Sequence, residues 1–222
     1  MDEDIADILI AVAHPSEAGA VEKAMSDARC NCEVLITGVG GAAMSWALQK
    51  RFSSGAVPSL VINAGIAGSY TASYAPGDVV ISCSDCFADM GVDDNGSFLS
   101  LFRASLADPD KPPFSEGRIH CHGRWFDSMS TKYPAVRAAT VNMTSGSQPV
   151  IDRIRKAWDP ETETMEGAWF AYACAMSGAE WLAVRAVSNM VGPRNLNKWD
   201  IPLALEKLQE AMTDILKTIK EG

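Results

Sequence analysis

The stretch that decides the predicted fold is Ile8-Leu9-Ile10-Ala11-Val12-Ala13-His14-Pro15-Ser16-Glu17. Its first six residues are a near-continuous apolar run, which is typical of a strand buried on both faces of a parallel sheet. His14-Pro15 ends the run, and Ser16 is a suitable N-cap for a helix that reaches about Arg29. Glu17 then falls at the first helical position, beyond the carboxyl end of the strand, where ligands bind in open α/β sheets. The alternative is that this Glu only stabilises the helix through its dipole and has no functional role.

The same alternation of strand and helix continues along the chain. Its apolar runs predict strands over 33–37, 59–63, 79–84, 138–143 and 180–188. Helices are predicted to open at Gly38–Ala43 and end at Phe52, to cover about 149–158 and 168–176, and to follow an Asp200 cap. Glycine-rich turns are predicted after the second and third strands, at Gly38–Ala43 and Ala64–Gly68. This order predicts an α/β domain with helices on both faces of its sheet.

Composition bounds the class of protein. The 222 residues are 47% hydrophobic and 21% charged, with a net charge of −9, which is ordinary for one globular domain. We expect a single domain over 1–222 with an acidic tail over 1–7. The sequence has no basic run of the kind that predicts nucleic-acid binding. Its apolar runs are all shorter than the roughly 20 residues that span a membrane. The acidic start, Met1-Asp2-Glu3-Asp4, is unlike a secretory signal, so a cytoplasmic protein with reduced cysteines is expected.

The cysteines could be drawn as a zinc site. They include a C-x-C pair, a C-x-x-C pair and a cysteine between two histidines, namely Cys30 and Cys32, Cys83 and Cys86, and Cys121 beside His120 and His122. However, Cys83 falls in a predicted strand, and no second C-x-x-C follows it. We therefore predict buried or partly exposed thiols and no metal.

The turn Gly38-Val39-Gly40-Gly41-Ala42-Ala43 matches the dinucleotide fingerprint G-x-G-x-x-A. It follows the second predicted strand rather than the first, and no acidic residue ends a clear strand about 20 residues later. A tight turn beside a ligand pocket is therefore favoured and no cofactor is predicted. A non-catalytic dinucleotide-binding protein stays open as an alternative.

The pattern fails between Gly91 and Gly117, where turn residues dominate. Long connections in compact domains are often lids or binding loops. We expect such a loop over 91–117, with a disordered insertion as the alternative.

Thr164-Met165-Glu166-Gly167 lies between the polar turn 159–162 and an apolar helical run. Glu166 therefore falls at or just before a helix N-terminus, where the dipole stabilises a carboxylate by about 0.3–1 kcal/mol. Glu17 and Asn189 also follow predicted strands, so the topology predicts that these three polar side chains converge at one edge of the sheet.

Four pieces of the chain together resemble the nucleoside phosphorylase and nucleosidase superfamily over about residues 8–216. They are 11–17, 38–40, 63–68 with 77–80, and 165–167 with 184–189. The continuation through Gly192-Pro193-Arg194-Asn195 to Trp199 is similar to the futalosine hydrolases of that superfamily. The resemblance implies a three-layer α/β/α fold with a central mixed, largely parallel sheet, a small nucleoside as ligand, and a homodimer or larger homo-oligomer.

The resemblance also implies roles for individual residues. Glu17 matches the glutamate that positions the attacking water, Glu166 the glutamate that binds the ribose hydroxyls, and Asn189 the residue that faces the purine. Further substrate-binding residues are implied at Met165, Gly65, Ile66, Ser145, Gly146 and Arg194.

Position 189 bears on the substrate. An Asn amide can donate to O6 or N7 of a 6-oxopurine, whereas the Asp of adenine-specific relatives would face O6 with repulsion. We therefore expect hydrolysis of futalosine to hypoxanthine, with a methylthioadenosine/S-adenosylhomocysteine nucleosidase or a purine nucleoside phosphorylase as alternatives. Ile66 offers no hydroxyl to phosphate and Arg29 lies far along its helix, so water is the expected acceptor.

The residues that meet the rest of the ligand are less defined by the pattern. Phe126 or Tyr70 is the candidate cover for the purine. Arg103, Lys111 or Arg194 is the candidate partner for the carboxylate of futalosine.

Overall fold

The computed structural model describes residues 7–193 and 195–222, and confirms the predicted α/β fold. The strands are β1 Ile8–Val12, β2 Glu33–Ile36, β3 Leu60–Ser69, β4 Val79–Asp85, β5 Gly91–Asp94, β6 Ser97–Ser100, β7 Ile119–His120, β8 Ala135–Thr140, β9 Thr162–Thr164 and β10 Glu180–Met190. The helices are α1 Pro15–Ala28, α2 Gly41–Ser53, α3 Arg124–Ser130, α4 Gln148–Trp158, α5 Gly167–Ser177 and α6 Ile201–Glu221, with a 3₁₀ turn at Leu196–Lys198. No helix in the described ranges is long and apolar enough to cross a membrane.

The central sheet runs in the order β10-β4-β8-β9-β3-β1-β2, and β7 pairs with β4. β10 also pairs with β3, so β3, β10, β4, β8 and β9 close into a ring to which β1 and β2 are attached. The pairs β1–β2, β1–β3, β3–β10, β4–β8 and β8–β9 are parallel, whereas β4–β10, β3–β9 and β4–β7 are antiparallel. The predicted mixed, largely parallel sheet is therefore confirmed.

The core follows from the two-residue period of β1. Ile8, Ile10 and Val12 belong to one buried cluster with residues of α1 and α6. Leu9 and Ala11 point to the opposite face, into a cluster with residues of α2 and α5. Each aliphatic side chain buried in this way stabilises the fold by about 1.5–3 kcal/mol. The continuous apolar run thus reflects helices on both faces of the strand.

The start of α1 differs from the prediction. His14, not Ser16, is the N-cap, and Pro15 begins the helix. The Nδ1 of His14 accepts from the backbone N–H of Ser16 at 3.2 Å, and the carboxylate of Glu17 accepts from the N–H of His14 at 3.0 Å. This reciprocal capping box makes Glu17 the third helical residue rather than the first.

The predicted turn at Ala64–Gly68 is wrong, because these residues continue β3 as far as Ser69. Glycine and alanine are typical of turns, which is why a turn was predicted. Here the small residues let β3 pass close to Glu17, and β3 pairs with β10 along its whole length. The predicted polar turn at 159–162 likewise ends in β9, which pairs with β8 and β3. Three-residue strands leave too little periodicity to be found in the sequence.

The segment 91–117 is folded, which contradicts the alternative of a disordered insertion. It begins with the hairpin β5–β6. Its Phe102 and Phe114 rings then stack edge-on with centroids 5.2 Å apart, and Phe114 lies 6.2 Å from Phe87. These aromatic contacts attach the segment to the body of the domain.

Candidate active site

A cavity of about 590 Å³ opens at the carboxyl ends of β1, β3 and β10. The structure brings seven of the predicted site residues into its lining, which are Glu17, Ile66, Ser145, Gly146, Met165, Glu166 and Asn189. The cavity has the size of a small-molecule site. Gly65 lies beside it against Glu17, and Arg194 falls outside the described residues.

Glu17 is buried and is held by backbone N–H groups from two segments. Its Oε2 accepts from Ala13 and His14, each at 3.0 Å, and its Oε1 accepts from Ile66 at 3.1 Å. A carboxylate offers about four acceptor positions. Three are filled by these donors, which leaves one position for a further hydrogen.

Gly65 allows β3 to approach this carboxylate. A Cβ atom at residue 65 would lie 2.7 Å from Oε1 of Glu17, closer than such contacts are found. The glycine therefore serves close packing, which sequence reasoning had read as turn chemistry.

Glu166 is the N-cap of α5, as the sequence predicts, and its Oε1 accepts from the N–H of Gly40 at 2.7 Å. Gly40 has a φ of +92°, a conformation that favours glycine, and it is the N-cap of α2. Burial raises the pKa of Glu166, while the Gly40 hydrogen bond and the charge of Arg185 act in the opposite direction. The G-x-G turn thus presents a backbone donor to Glu166.

Gly167 has a packing role next to Glu166. An added Cβ at this residue would lie 2.1 Å from Oδ2 of the buried Asp85. Asp85 accepts from the Thr140 hydroxyl at 2.9 Å, and burial raises its pKa to about 6. Only glycine therefore fits where α5 starts above this carboxyl group.

Arg185 is a buried residue near the cavity carboxylates to which sequence analysis gave no role. It is 2% exposed, and it donates to the backbone oxygen of Asn63 at 2.6 Å and to the Asn63 side chain. Burial lowers its pKa, whereas the charges of Glu166 and Glu17 raise it. One buried cation therefore balances two carboxylates of the cavity. A lone charge inside the apolar run of β10 was the signal that could have revealed it.

Asn189 is buried near the end of β10, beside the cavity. Its Oδ1 accepts from the Ser188 hydroxyl at 2.8 Å, and its Nδ2 donates to the backbone oxygen of Met190 at 3.0 Å. The Met190 oxygen can only accept, so it fixes which end of the amide is the donor. The Nδ2 group is then the end that can donate to a ligand.

Glu163 is a second residue that sequence reasoning missed. It is 6% exposed, lies in β9 and lines the cavity. Its carboxylate accepts from the Tyr70 hydroxyl and from the hydroxyl and N–H of Ser145, the last at 2.9 Å. Burial and the neighbouring Glu163 charge raise the pKa of Tyr70, so the phenol remains a donor. Glu163 was missed because the short strand β9, which carries it, was not predicted from the sequence.

Tyr70 and Phe126, the residues expected to stack on the purine, do not line the cavity. Tyr70 is buried and donates its hydroxyl to Glu163, and Phe126 packs against the core clusters. Trp199 and Ile201 line the cavity instead. Trp199 is thus the aromatic side chain that the structure offers to a bound ring.

The charged residues that line the cavity, among those the structure describes, are all acidic. Glu17, Glu163 and Glu166 line it, and no Lys or Arg of 7–193 or 195–222 does. Arg29 caps the far end of α1, about 20 Å along the helix from its start. Arg103 and Lys111 do not line the cavity either, nor does any other residue of 91–117.

A metal site would require a group of ligating side chains. Within the described residues, no three His, Cys, Asp or Glu side chains are grouped to hold a metal ion. The six cysteines are free thiols, and the Sγ atoms of Cys30 and Cys32 lie 3.4 Å apart.

Comparison with known proteins places the chain in a family. Residues 28–221 match the sequence model of the phosphorylase superfamily. The chain is 30% identical to a futalosine hydrolase of Acidothermus cellulolyticus over 91% of this chain and 87% of the relative. In fold it is similar to the futalosine hydrolase of Helicobacter pylori, with a TM-score of 0.77 at 14% identity over 98% of both chains. It is also similar to the 5'-methylthioadenosine/S-adenosylhomocysteine nucleosidase of Neisseria meningitidis in complex with methylthio-immucillin-A, with a TM-score of 0.75 at 18% identity over 95% of this chain and 98% of that one.

Proposed function

The chain belongs to the phosphorylase superfamily and is an N-glycosyl hydrolase within it, and from that premise we propose that its substrate is futalosine. The products are hypoxanthine and dehypoxanthine futalosine. This reaction is a step of menaquinone biosynthesis. The observation that carries the proposal is the meeting of Glu17, Glu166 and Asn189 in one cavity. The name of the Acidothermus relative supports the choice of substrate.

Glu17 positions the attacking water in this proposal. One acceptor position of its carboxylate is open, while three backbone donors fix the group. The water gives one proton to Glu17 as its oxygen bonds to C1' of the ribose, and the C1'–N9 bond breaks with its electron pair on the base. The base leaves as the hypoxanthine anion and takes a proton from solvent. A positioned base of this kind contributes about 10²–10⁴-fold to a rate.

Glu166 binds the ribose hydroxyls and stabilises the sugar as positive charge develops on it. N-glycosidic cleavage passes through an oxocarbenium-like sugar, as glycoside hydrolysis does. The carboxylate is oriented by the N–H of Gly40, and the positive charge of Arg185 stabilises its ionised form. Met165 lines the same wall and packs beside the sugar.

Asn189 recognises the departing base. The Nδ2 group carries two hydrogens and Met190 accepts one of them, so the other is available to donate to O6 or N7 of hypoxanthine. An amide has no proton to transfer at neutral pH, so Asn189 stabilises the base by hydrogen bonding.

Water rather than phosphate is the acceptor in this proposal. Three carboxylates line the described part of the cavity without a lysine or arginine among them, and Ile66 presents an apolar side chain. Such a cavity repels a phosphate dianion at short range.

The test is chromatographic detection of free base from futalosine, inosine and methylthioadenosine, each with and without phosphate. We expect hypoxanthine from futalosine at a rate that phosphate does not change. Adenine from methylthioadenosine alone would contradict the assignment of Asn189. A strict need for phosphate would make the protein a phosphorylase.

A further inference from the structure

His14 lines the cavity of the candidate active site, and the proposed hydrolysis gives its side chain no role there. It follows β1 and is the N-cap of α1. The residue is exposed, so it lies at the mouth of the cavity. Both hydrogen bonds of its ring within the described residues are made to Ser16 through Nδ1. The other ring nitrogen, Nε2, is therefore left for a ligand.

The capping bond fixes which ring nitrogen of neutral His14 carries the hydrogen. The backbone N–H of Ser16 can only donate, and it does so to Nδ1 at 3.2 Å. Nδ1 is then the acceptor, and the ring hydrogen lies on Nε2. The Ser16 hydroxyl, 2.8 Å from Nδ1, can donate to the same nitrogen. His14 thus offers an Nε2–H donor, in the neutral and in the protonated ring alike.

His14 is also the one side chain in the described lining of the cavity that can carry a positive charge. The other ionisable residues of that lining are Glu17, Glu163 and Glu166, and Arg194 lies outside the described residues. Carboxylates repel an anionic group of a ligand strongly where water is excluded. At the exposed mouth, water and salt screen that repulsion. An anionic group is therefore best accommodated there, where His14 supplies the donor.

The sheet places His14 away from the residue that faces the base. The strands β10, β3 and β1 are parallel neighbours in that order. Asn189 lies near the end of β10, whereas His14 follows β1. Two strand spacings of about 4.8 Å separate these strands, which is about 10 Å across the sheet. With the base at Asn189, His14 lies toward the end of the ligand that is remote from the base.

Futalosine has the matching distribution of groups. Its purine is attached at C1' of the ribose, and its carboxyphenyl group is carried at the 5' end, on the other side of the sugar ring. The carboxylate accepts hydrogen bonds and is ionised at neutral pH. A hydrogen bond from an N–H group to an ionised carboxylate is about twice as strong as a neutral one.

We propose that His14 recognises the carboxylate at the 5' end of the substrate by donating its Nε2–H to it, so that the protein selects nucleosides with an anionic 5' substituent. This inference rests on the proposed function and names the contact that distinguishes futalosine from inosine. Through Nδ1 the ring caps α1, in the capping box that also contains Glu17. Through Nε2 it binds the far end of the substrate.

The contact acts at a distance from the bond that breaks. The carboxylate does not change charge when the C1'–N9 bond is cleaved, so the contact is equally strong in the ground state and in the transition state. Such an interaction changes binding and KM rather than kcat. The sugar product, dehypoxanthine futalosine, keeps the carboxylate, so the contact can be measured without turnover.

The experiment compares the dissociation constants of dehypoxanthine futalosine and of its methyl ester, which has no negative charge, by calorimetry. Wild-type protein should bind the acid about 10- to 100-fold more tightly than the ester. His14→Ser keeps a preferred N-cap but lacks the ring, so the ratio should fall to about 1. His14→Asp also caps the helix but repels the acid, so the ester should become the tighter ligand. His122→Ser, at an exposed histidine outside this lining, is the matched control and should keep the wild-type ratio.

A His14 that only caps α1 predicts a different result. The acid and the ester would then bind equally to wild-type protein, or both would lose affinity in the variants with their ratio unchanged. Either outcome would overturn the inference. A preference for the acid that persists in His14→Ser and His14→Asp, because the ester is simply too large, would overturn it as well.

Turnover of futalosine separates this inference from the proposed function. Release of hypoxanthine without the affinity ratio would overturn the role of His14 alone. The affinity ratio without release of hypoxanthine from futalosine would overturn the proposed reaction and leave the carboxylate contact standing.

Discussion

At the scale of single residues, the site depends on carboxylates whose free positions are set by backbone donors. Glu17 was foreseen from its place after β1, but its three N–H donors arise from a capping box and from a strand that was read as a turn. Arg185 and Glu163 were not foreseen, because a buried charge in a strand has no short motif. Residue type and position after a strand can be read from sequence, whereas partners from distant segments cannot.

Replacing Glu17 with Gln should lower the rate of base release by about 10²–10⁴-fold. The amide has one acceptor oxygen for three N–H donors and cannot take a proton from water. Steady-state kinetics and thermal unfolding should be measured together. Glu22→Gln, on the exposed face of the same helix, is the matched control and should behave as wild type. Full activity in Glu17→Gln would contradict its role as the base.

Replacing Asn189 with Asp should move the preference from 6-oxopurine toward 6-aminopurine nucleosides. The new carboxylate would face O6, so kcat/KM for futalosine should fall by about 100-fold or more. Paired assays with futalosine and methylthioadenosine check the change. An unaltered preference would remove Asn189 from base recognition.

At the scale of elements, the site is built where α1, α5 and β3 approach one another. The sequence predicted α5 and its Glu166 cap because an apolar run follows a polar turn, and those signals are local. It missed the second half of β3 because glycine and alanine are ambiguous between turn and close packing. Pairing with β9 and β10 decides that ambiguity, and pairing is non-local.

A methyl group at residue 65 tests the approach of β3 to α1. Gly65→Ala should displace the Glu17 carboxylate, and a shift of about 1 Å typically costs about 10²-fold in rate. Gly19→Ala is the control, because a Cβ at residue 19 of α1 meets nothing within 4 Å. Kinetics of both variants should separate them. Equal activities would show that β3 adjusts without moving Glu17.

Asp85, below the start of α5, should make stability depend on pH. Its folded pKa of about 6 lies above the ordinary value of 3.8, so the native state binds the proton more tightly. The free energy of unfolding therefore loses the contribution of Asp85 as pH rises from 4 through 6, by up to about 3 kcal/mol. Asp85→Asn should gain stability relative to wild type over that range in urea titrations. A difference that is independent of pH would contradict this.

At the scale of the whole molecule, layer order and sheet type could be predicted from the alternation of elements. The closure of β3, β10, β4, β8 and β9 into a ring could not, since it depends on the pairing of β10 with two strands. The placement of 91–117 away from the cavity was equally beyond the pattern, because aromatic contacts with Phe87 fix it.

The molecule exposes an apolar surface around the start of α2, formed by Ile36, Val39 and Trp46, which are 49%, 58% and 72% exposed. Contiguous exposed apolar residues mark association surfaces. We propose that a second copy covers this surface, so sedimentation should give a homodimer and Trp46→Arg should shift it to monomer. Leu106→Arg, which changes a 64% exposed residue of the 91–117 segment, is the control. A monomeric wild-type protein would contradict the proposal.

The triple pairing of β3 also governs how amide hydrogens of the site exchange with solvent. Amides of a strand bonded to neighbours on both sides open only when the whole domain unfolds, whereas those of short loops open locally. Leu60–Asn63, which pair with both β1 and β10, should therefore belong to the slowest-exchanging set, and 144–147 to a faster one. Protection on ligand binding should then appear at 144–147 and leave Leu60–Asn63 unchanged.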